Sequence, residues 1–437
     1  MNKHLWLLAL VFCFIGFTAC DTETDSEKTL STVTSFKLKN GYQSKTDTIW
    51  RLEKYKFIID TVTMTIYNED SLPYQCRLDS LIPIISSSAE KIYINDTIFY
   101  DHKANNFVPD TFNLNEPFVI TTYAEKKGIS KTYTLELRVH QIDPEKYVWE
   151  GLNSEIYNLE ATNEVMTHFD QSLWLFVETA NGVNALQSAD GKQWTRFATT
   201  GFPVGADIRT MVNWNETLCL YYNDKLYTST DGTSWSVKAN GNGQITKLLF
   251  EMNHKLYAQA IENGTSTLYA TTDGTTWESV ATLPSNFPVS GAGIWRDTTL
   301  TGAQRAYVVG GRDAQGNLLN TVWCSENGEY WANMISKNWF TPREDVAVVQ
   351  YDSVLMLFGG RDANGLVSDY QLVSPDFGVT WRAPRNDENI SSLFTPRYAA
   401  NVATDDRFYL YVVGGRNENR FIKDSWRGRR NRLLFDK

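Results

Sequence analysis

The sequence has little of what acid, base and metal chemistry is usually built from. Histidine occurs five times in 437 residues. Beyond the first few positions only His102, His140, His168 and His254 remain, and none stands at ligand or triad spacing from another. Five cysteines are too few and too scattered for a disulfide framework, and they form no CxxC or Cys/His pattern that would hold zinc. Cys13 lies in an apolar run, while Cys219 and Cys324 fall in apolar and aromatic strand patterns, where thiols are expected as small buried hydrophobes. No HExxH, GxSxG, Walker or dinucleotide motif occurs, so neither metal nor cofactor is expected. A basic surplus is also missing. With 41 Lys and Arg against 51 Asp and Glu the formal charge is -10, which argues against a nucleic-acid partner. Long apolar runs are limited to Leu5 to Phe17, which is short for a membrane span.

What is present is the material of a folded, strand-rich protein. Hydrophobic residues make up 42% and aromatics 13%, with 14 Trp and 22 Tyr, and the length exceeds one ordinary hydrophobic core, so two domains are expected. At the start, Met1 to Lys3 give a positive segment ahead of the apolar run, the order of a secretory signal. The run closes Phe17-Thr18-Ala19-Cys20, which resembles the lipobox of bacterial lipoproteins, with phenylalanine where leucine is usual. That resemblance implies removal of residues 1–19, acylation of Cys20 and a membrane partner through the lipid, since two or more chains on one cysteine anchor stably. Residues 20–31 begin Cys20-Asp21-Thr22-Glu23-Thr24-Asp25-Ser26-Glu27, an acidic tether. Acidic residues in this place are similar to the export signal of Bacteroidetes-type surface lipoproteins, which implies the outer membrane and the cell surface.

Residues 32–143 alternate apolar and polar side chains in short runs. Tyr133, Leu135, Leu137 and Val139 are interleaved with Thr132, Thr134, Glu136 and Arg138, and similar segments occur at Val62, Met64, Ile66 and at Ile92, Ile94. This pattern predicts half-buried strands in an all-β sandwich, loosely similar to bacterial immunoglobulin-like modules. Asp143-Pro144 marks a break.

Residues 144–437 are repetitive. One turn pattern recurs five times, around Asp190 and Trp194, Asp231 and Trp235, Asp273 and Trp277, Asn327 and Trp331, and Asp376 and Trp381, with the tryptophans 41, 42, 54 and 50 residues apart. That is the period of four-stranded propeller blades. Asp-Gly or Asn-Gly supplies the positive φ of a tight turn, Ser, Thr and Asp side chains bond its amides, and Trp is expected to pack between blades. The copies resemble the Asp-box of sialidase-like propellers, with Ser374 to Trp381 matching S-x-D-x-G-x-T-W in full. In that family the box joins the outer strands of a blade away from the active site, so it implies fold and not sialidase activity. A second pattern overlies it. Val308-Val309-Gly310-Gly311, Leu357-Phe358-Gly359-Gly360 and Val412-Val413-Gly414-Gly415 precede Trp323, Tyr370 and Trp426, with Phe340-Thr341-Pro342-Arg343 and Phe394-Thr395-Pro396-Arg397 upstream. This resembles kelch blades over residues 286–430. Six blades are expected, the last with a hairpin at Gly428 to Asn431 and an outer strand at Arg432 to Phe435. Seven follow if Tyr147 to Gly151 belongs to a further blade.

Function is thinly written. The kelch resemblance implies that Arg343 and Arg397 face the central opening and that Arg312, Arg361 and Arg416 lie on loops towards the same rim, a ring suited to an acidic glycan or a carboxylate. The competing expectation is that these arginines pair with Asp345, Asp313, Asp362 and their neighbours to stitch blade to blade. The repeated GGRDA segments at 310–316 and 359–365 are expected as loop chemistry, and Arg427, Arg429, Arg430 and Arg432 as one alternating closing strand. The sequence favours a surface-displayed binding or scaffold module whose propeller meets a glycan or protein. The alternative is a carbohydrate-active enzyme, sialidase-like or another glycoside hydrolase or lyase, with its catalytic groups in the central pocket.

Overall fold

The computed structural model describes residues 29–40, 52–101, 110–241, 243–299, 301–334, 340–367, 369–418 and 420–434. The signal segment, Cys20 and the tether through residue 28 lie outside them. The described structure is all-β, and the chain divides into two compact units, Met1–Pro144 and Glu145–Lys437.

In the first unit the strands divide between two sheets. Val33–Asn40 pairs with Leu81–Ser87, and a six-stranded sheet runs in the order Phe57–Asp60, Thr65–Asn68, Ser130–Glu136, Val119–Tyr123, Lys91–Ile94, Ile98–Phe99. Thr65–Asn68 and Ser130–Glu136 are parallel neighbours. Phe36, Leu38 and Ile85 from the smaller sheet share a core with Ile66, Ile92, Ile94, Ile120 and Tyr133 from the larger one. The alternation at Tyr133 is as expected, with Thr132 and Thr134 exposed on either side. Val62 is a correction. It sits 90% exposed in the turn after Phe57–Asp60, where Asp60 Oδ1 accepts from the amides of Val62 and Thr63 at 2.8 and 3.1 Å, so local turn bonding overrides the apolar pattern.

Besides two short two-stranded ribbons, Arg361–Asp362 with Gly365–Leu366 and Arg416–Asn417 with Arg420–Phe421, the second unit builds six larger sheets among its described residues. Each of the first four is a meander: 161–198 with strands Ala161–Phe169, Ser172–Thr179, Gly182–Ser188 and Thr195–Ala198, then 212–240, 245–282 and 293–333. The fifth contains Ala347–Tyr351, Val354–Phe358 and Gln371–Ser374, extended by a bridge from Val373 to Arg382. The sixth contains Asn401–Thr404, Leu410–Val413, Ser425–Arg430 and, at its edge, Tyr147–Asn153. The first strands touch in a cycle, one to two, two to three and so on, with Asn401–Thr404 meeting Ala161–Phe169. The sheets therefore close on themselves, which removes free faces and leaves each second strand, such as Leu175-Phe176-Val177 or Leu355-Met356-Leu357-Phe358, buried on both sides.

The repeated turns sit between third and fourth strands and fix the stacking. In the first, Ser188 Oγ accepts from Gly191 N at 2.9 Å, and Asp190 Oδ1 accepts from the amides of Lys192 and Gln193 at 2.8 and 3.1 Å. Asp231, Asp273, Asn327 and Asp376 cap their turns in the same way, and main-chain amides hold the Asp231 and Asp273 carboxyls well below the usual range. The turn glycine is pressed onto the preceding sheet. A Cβ at Gly328 (φ +81°) would lie 2.4 Å from the Tyr257 ring, and one at Gly191 (φ +74°) 2.8 Å from Tyr411. The tryptophans pack the same way, Trp235 on Phe176, Trp277 on Tyr221 and Trp331 on Phe250.

The last sheet departs from the expectation. Of the outer strand expected at Arg432 to Phe435, the described residues Arg432 to Leu434 form no strand but belong to the 3-10 turn Asn431–Leu434, and Phe435 lies outside the described residues. The strand Tyr147–Asn153 takes that edge, antiparallel to Ser425–Arg430. It belongs to the sixth sheet and to no seventh. It also brings Trp149, which packs on Phe358 of the fifth sheet as the turn tryptophans do elsewhere.

The seam between the sixth and first sheets contains a buried acid. At the fourth-to-fifth and fifth-to-sixth junctions the second glycine of each pair donates its amide to a main-chain carbonyl, Gly311 N to Arg343 O at 2.8 Å and Gly360 N to Arg397 O at 3.2 Å. At the closing seam Gly415 N donates instead to Glu164 Oε1 at 2.5 Å, and Tyr157 Oη donates to Glu164 Oε2 at 2.7 Å. Glu164 is 2% exposed, and burial pushes its carboxyl up to about 7 despite these donors. A carboxyl whose folded pKa lies above its unfolded 4.5 stabilises the fold fully below pH 4.5 and loses that contribution as pH rises to about 7, worth about 3 kcal/mol at 1.36 kcal/mol per unit. Urea denaturation of the wild type and Glu164→Gln across pH 4.5–8 is expected to show the wild type losing stability relative to the variant with rising pH; parallel curves would contradict this.

Candidate functional site

The first strands begin around a central pocket of about 430 Å³, lined from all six sheets. The residues are delivered by the loops that carry the chain from one sheet into the next. Asp207 caps the 3-10 turn Ile208–Thr210, its Oδ1 accepting from Arg209 N at 3.0 Å, and so presents Arg209 beside itself. Lys247 comes from the strand Ile245–Met252, Ser290 and Gly291 precede Gly293–Thr298, Glu344 and Asp345 precede Ala347–Tyr351, and Asn401 begins Asn401–Thr404. Leu249, Ile294, Val348 and Val402 add apolar wall.

Three of these loops are linked in series at residues with left-handed backbone. Asp345 N (φ +56°) donates to Gly291 O at 2.6 Å, and Ala399 N (φ +53°) donates to Asp345 O at 2.7 Å. Arg209 Nη1 then reaches Ala399 O at 3.4 Å. Non-glycine residues in this conformation store strain and are held by their surroundings, here by the loop-to-loop bonds.

The charges fall into two groups. On one side Arg312 grips Glu344 through both carboxylate oxygens at 2.6 and 2.8 Å, and Arg361 bonds Glu344 at 3.2 Å and Asp345 at 3.1 Å while lying 4.8 Å from the Tyr398 ring centroid. The Arg312 guanidinium, with Arg361 beside it, holds the Glu344 carboxyl below its usual range. On the other side Arg209 is exposed, and Lys247, half-buried, donates from Nζ to Val289 O at 2.6 Å. Burial pushes the Lys247 ammonium down to about 8. A second, larger groove of about 660 Å³ lies between the fourth and fifth sheets, lined by Arg305, Tyr307, Tyr330, Met334 and Phe377. It draws on neighbouring sheets only, whereas the central pocket gathers polar groups from the whole ring.

The five arginines expected at the rim separate sharply. Arg343 and Arg397 do not face the opening. They are 0% and 1% exposed, and each is spent inside the framework. Arg343 bonds Thr341 O, Asp369 O and both Asp369 carboxylate oxygens, while Arg397 bonds Thr395 O, Gly414 O and Asp424 at 2.5 and 3.0 Å with its guanidinium 4.0 Å from the Phe394 centroid. The physical reason is the acidic residue just before each third strand, which draws the guanidinium back into its own sheet. Arg361 lines the pocket, Arg312 holds Glu344 at its edge, and Arg416 lies over Phe421 and donates to Thr162 O. Asp313 serves its own loop, accepting from the amides of Gln315 and Asn317. In the terminal run Arg427 pairs with Glu150, while Arg430 and Arg432 pair with Glu145 and Asp352. Cys76, Cys219 and Cys324 are buried free thiols, and burial pushes Cys219 up to about 12. Arg209, Lys247, Asp207, Glu344 and Glu164 were not singled out by sequence. Their signal was position: each precedes or enters a first strand, as Arg343 and Arg397 do.

Two family profiles cover the chain. Residues 143–437 match one described as the DUF6242 beta propeller domain, and residues 24–137 match the DUF6242 N-terminal domain, a domain of unknown function. No curated protein matches. A solved structure titled "Structure of YjhT" is 13% identical with a TM-score of 0.48, covering 63% of this chain and 96% of that one.

If Arg343 and Arg397 belong to the framework, Arg397→Ala removes the counter-charge of Asp424, leaving the Trp426 indole N–H as a donor to it, and is expected to cost about 3 kcal/mol in urea denaturation. Arg343→Ala is expected to cost less, because the Asp369 side chain is 40% exposed and can be hydrated. Unchanged stability in both would place these arginines outside the framework.

Proposed function

Since the chain belongs to the DUF6242 family, whose C-terminal domain is a β-propeller, we propose that this domain is a binding module that takes a glycan or a protein segment at its central pocket. The observation that carries the proposal is convergence: all six sheets send a loop or strand end into one pocket of about 430 Å³, and strained, hydrogen-bonded backbone sets part of its wall in advance. Small-ligand sites are concave, preformed and furnished with a few placed polar groups. In finer terms the propeller has six blades of kelch-like type bearing Asp-box turns, supported by the six sheets, the cycle of first strands and the positive φ at Gly310, Gly311, Gly359, Gly360, Gly414 and Gly415. The N-terminal unit is of immunoglobulin-like character, supported by its two sheets on one core.

Binding is favoured over glycoside hydrolysis by the state of the pocket acids. A hydrolase needs one carboxylic acid kept protonated near neutrality, and Glu344 is driven the other way by Arg312. Of the acids that burial raises, Glu164 is sealed in the seam behind Gly415 and Tyr157, and Glu178 does not line the pocket. The address rests on Phe17-Thr18-Ala19-Cys20 and the acidic stretch after it, which support a lipid-anchored protein of the outer membrane displayed at the cell surface.

Hydrogen-exchange mass spectrometry of the full chain with a mixed pool of oligosaccharides and peptides is expected to show protection at 207–210, 289–294 and 344–348, without release of smaller sugars. Release would establish the enzyme alternative, and protection confined to other surfaces would remove the pocket from the proposal. For the anchor, Cys20→Ser is expected to abolish metabolic labelling with an alkyne fatty acid and to free the protein from membranes; continued labelling would overturn it.

A further inference from the structure

The two sides of the pocket are not equivalent, and the difference specifies a ligand class. Glu344 and Asp345 are already matched by Arg312 and Arg361, at 2.6 to 3.2 Å. Among the described residues neither Arg209 nor Lys247 enters an ion pair; the carboxyls that act on them are Asp207, engaged in capping its own turn, and Glu164, sealed in the seam. Arg209 spends one guanidinium nitrogen on a 3.4 Å contact to the Ala399 carbonyl, and Lys247 spends one proton on the Val289 carbonyl at 2.6 Å. Carbonyl oxygens orient these groups and do not neutralise them. On that side of the pocket the two cations therefore keep donors and charge available to a ligand.

We propose that the pocket binds a hydroxylated monocarboxylate, of the class of a sugar acid, with its carboxylate held between Arg209 and Lys247. The inference rests on the pocket being the binding site, as proposed above. A guanidinium fork matches the planar carboxylate, and the ammonium supplies a second donor with charge. Asp207 beside the two cations and Asp345 on the opposite wall offer carboxylate oxygens to sugar hydroxyls, and Leu249 and Val348 give apolar surface for the C–H face of a ring. A volume of about 430 Å³ is at the lower end of small-ligand pockets, which run from roughly 300 to 1,000 Å³, and suits one or two rings. Lys247 is shifted down towards neutrality by burial, so an anion that restores its charge binds less well once the amine deprotonates.

The test is isothermal titration of the full chain at pH 7 with sodium glucuronate and galacturonate against glucose and galactose, repeated at pH 9.5. The acids are expected to bind at least tenfold more tightly than the neutral sugars, and to weaken at the higher pH. Arg209→Gln and Lys247→Met are each expected to weaken the acids by about tenfold with little change for the neutral sugars, circular dichroism and thermal midpoint confirming that both variants fold; Lys247→Arg is expected to retain binding and lose the pH effect. Equal affinity for acidic and neutral sugars would overturn the ligand class while leaving the pocket as a binding site. Unchanged affinity in both variants would overturn the placement of the carboxylate. Silence from all four sugars would overturn the sugar-acid inference, whereas the pocket reading stands or falls separately on the exchange protection seen with the mixed pool.

Discussion

Everything in the C-terminal unit hangs on the pairing of Tyr147–Asn153 with Ser425–Arg430. These strands are almost three hundred residues apart in sequence and lie side by side at the edge of one sheet. The pairing satisfies an edge that would otherwise offer unpaired amides and carbonyls to other chains. It also sets Trp149 against Phe358 and brings Glu145 and Glu150 to the arginines of the closing strand. Because the sheets stack in a cycle, a break at this edge exposes faces on both neighbours, so the first and last segments of the unit stabilise every sheet between them. The closing seam next to it is made differently from the fourth-to-fifth and fifth-to-sixth junctions, with the Glu164 carboxylate in the place of a backbone carbonyl.

The repeated turn is the second constraint. Its serine and aspartate consume the amides of a tight reversal, and its glycine answers two demands at once, positive φ and contact with the preceding sheet. At Gly328 any side chain would enter the Tyr257 ring. The repeat is thus a stacking device placed at the outer strands, and it leaves the other end of each sheet, where first strands begin, free to vary. The varied end is the one that lines the pocket. Rigid scaffolds commonly divide their residues in this way, with packing residues repeated and site residues carried on the connecting loops.

Arginine shows how far residue type alone can mislead. Five arginines follow two recurring motifs and look equivalent in sequence, yet Arg343 and Arg397 are buried in bonds to Asp369 and Asp424, while Arg361 reaches the pocket. What separates them is the location of the nearest acid. Asp369 and Asp424 stand just before the third strands of their sheets, whereas Glu344 and Asp345 stand on the loop that enters the fifth sheet ahead of its first strand, at the pocket. The basic terminal run is sorted by the same rule, with Glu145, Glu150 and Asp352 drawing in Arg430, Arg427 and Arg432.

The sequence by itself determined the β character of both units, the break near Pro144, the period of the repeats and the chemistry of their turns. Those features are local, since alternation, Asp-Gly turns and spaced tryptophans act over a few residues and report directly on backbone geometry. It also contained the family relationship, which covers residues 143–437 as a β-propeller domain. Tertiary structure alone decided which strand completes the last sheet, which carboxylate closes the seam and which charges converge on the pocket. Arg209, Lys247 and Asp345 lie on a turn, a strand and a loop of three different sheets and carry no shared motif, so only closure of the ring puts them around one volume. Whether a charge becomes framework or site depends on its distance to an opposite charge across the fold, a quantity no local pattern encodes.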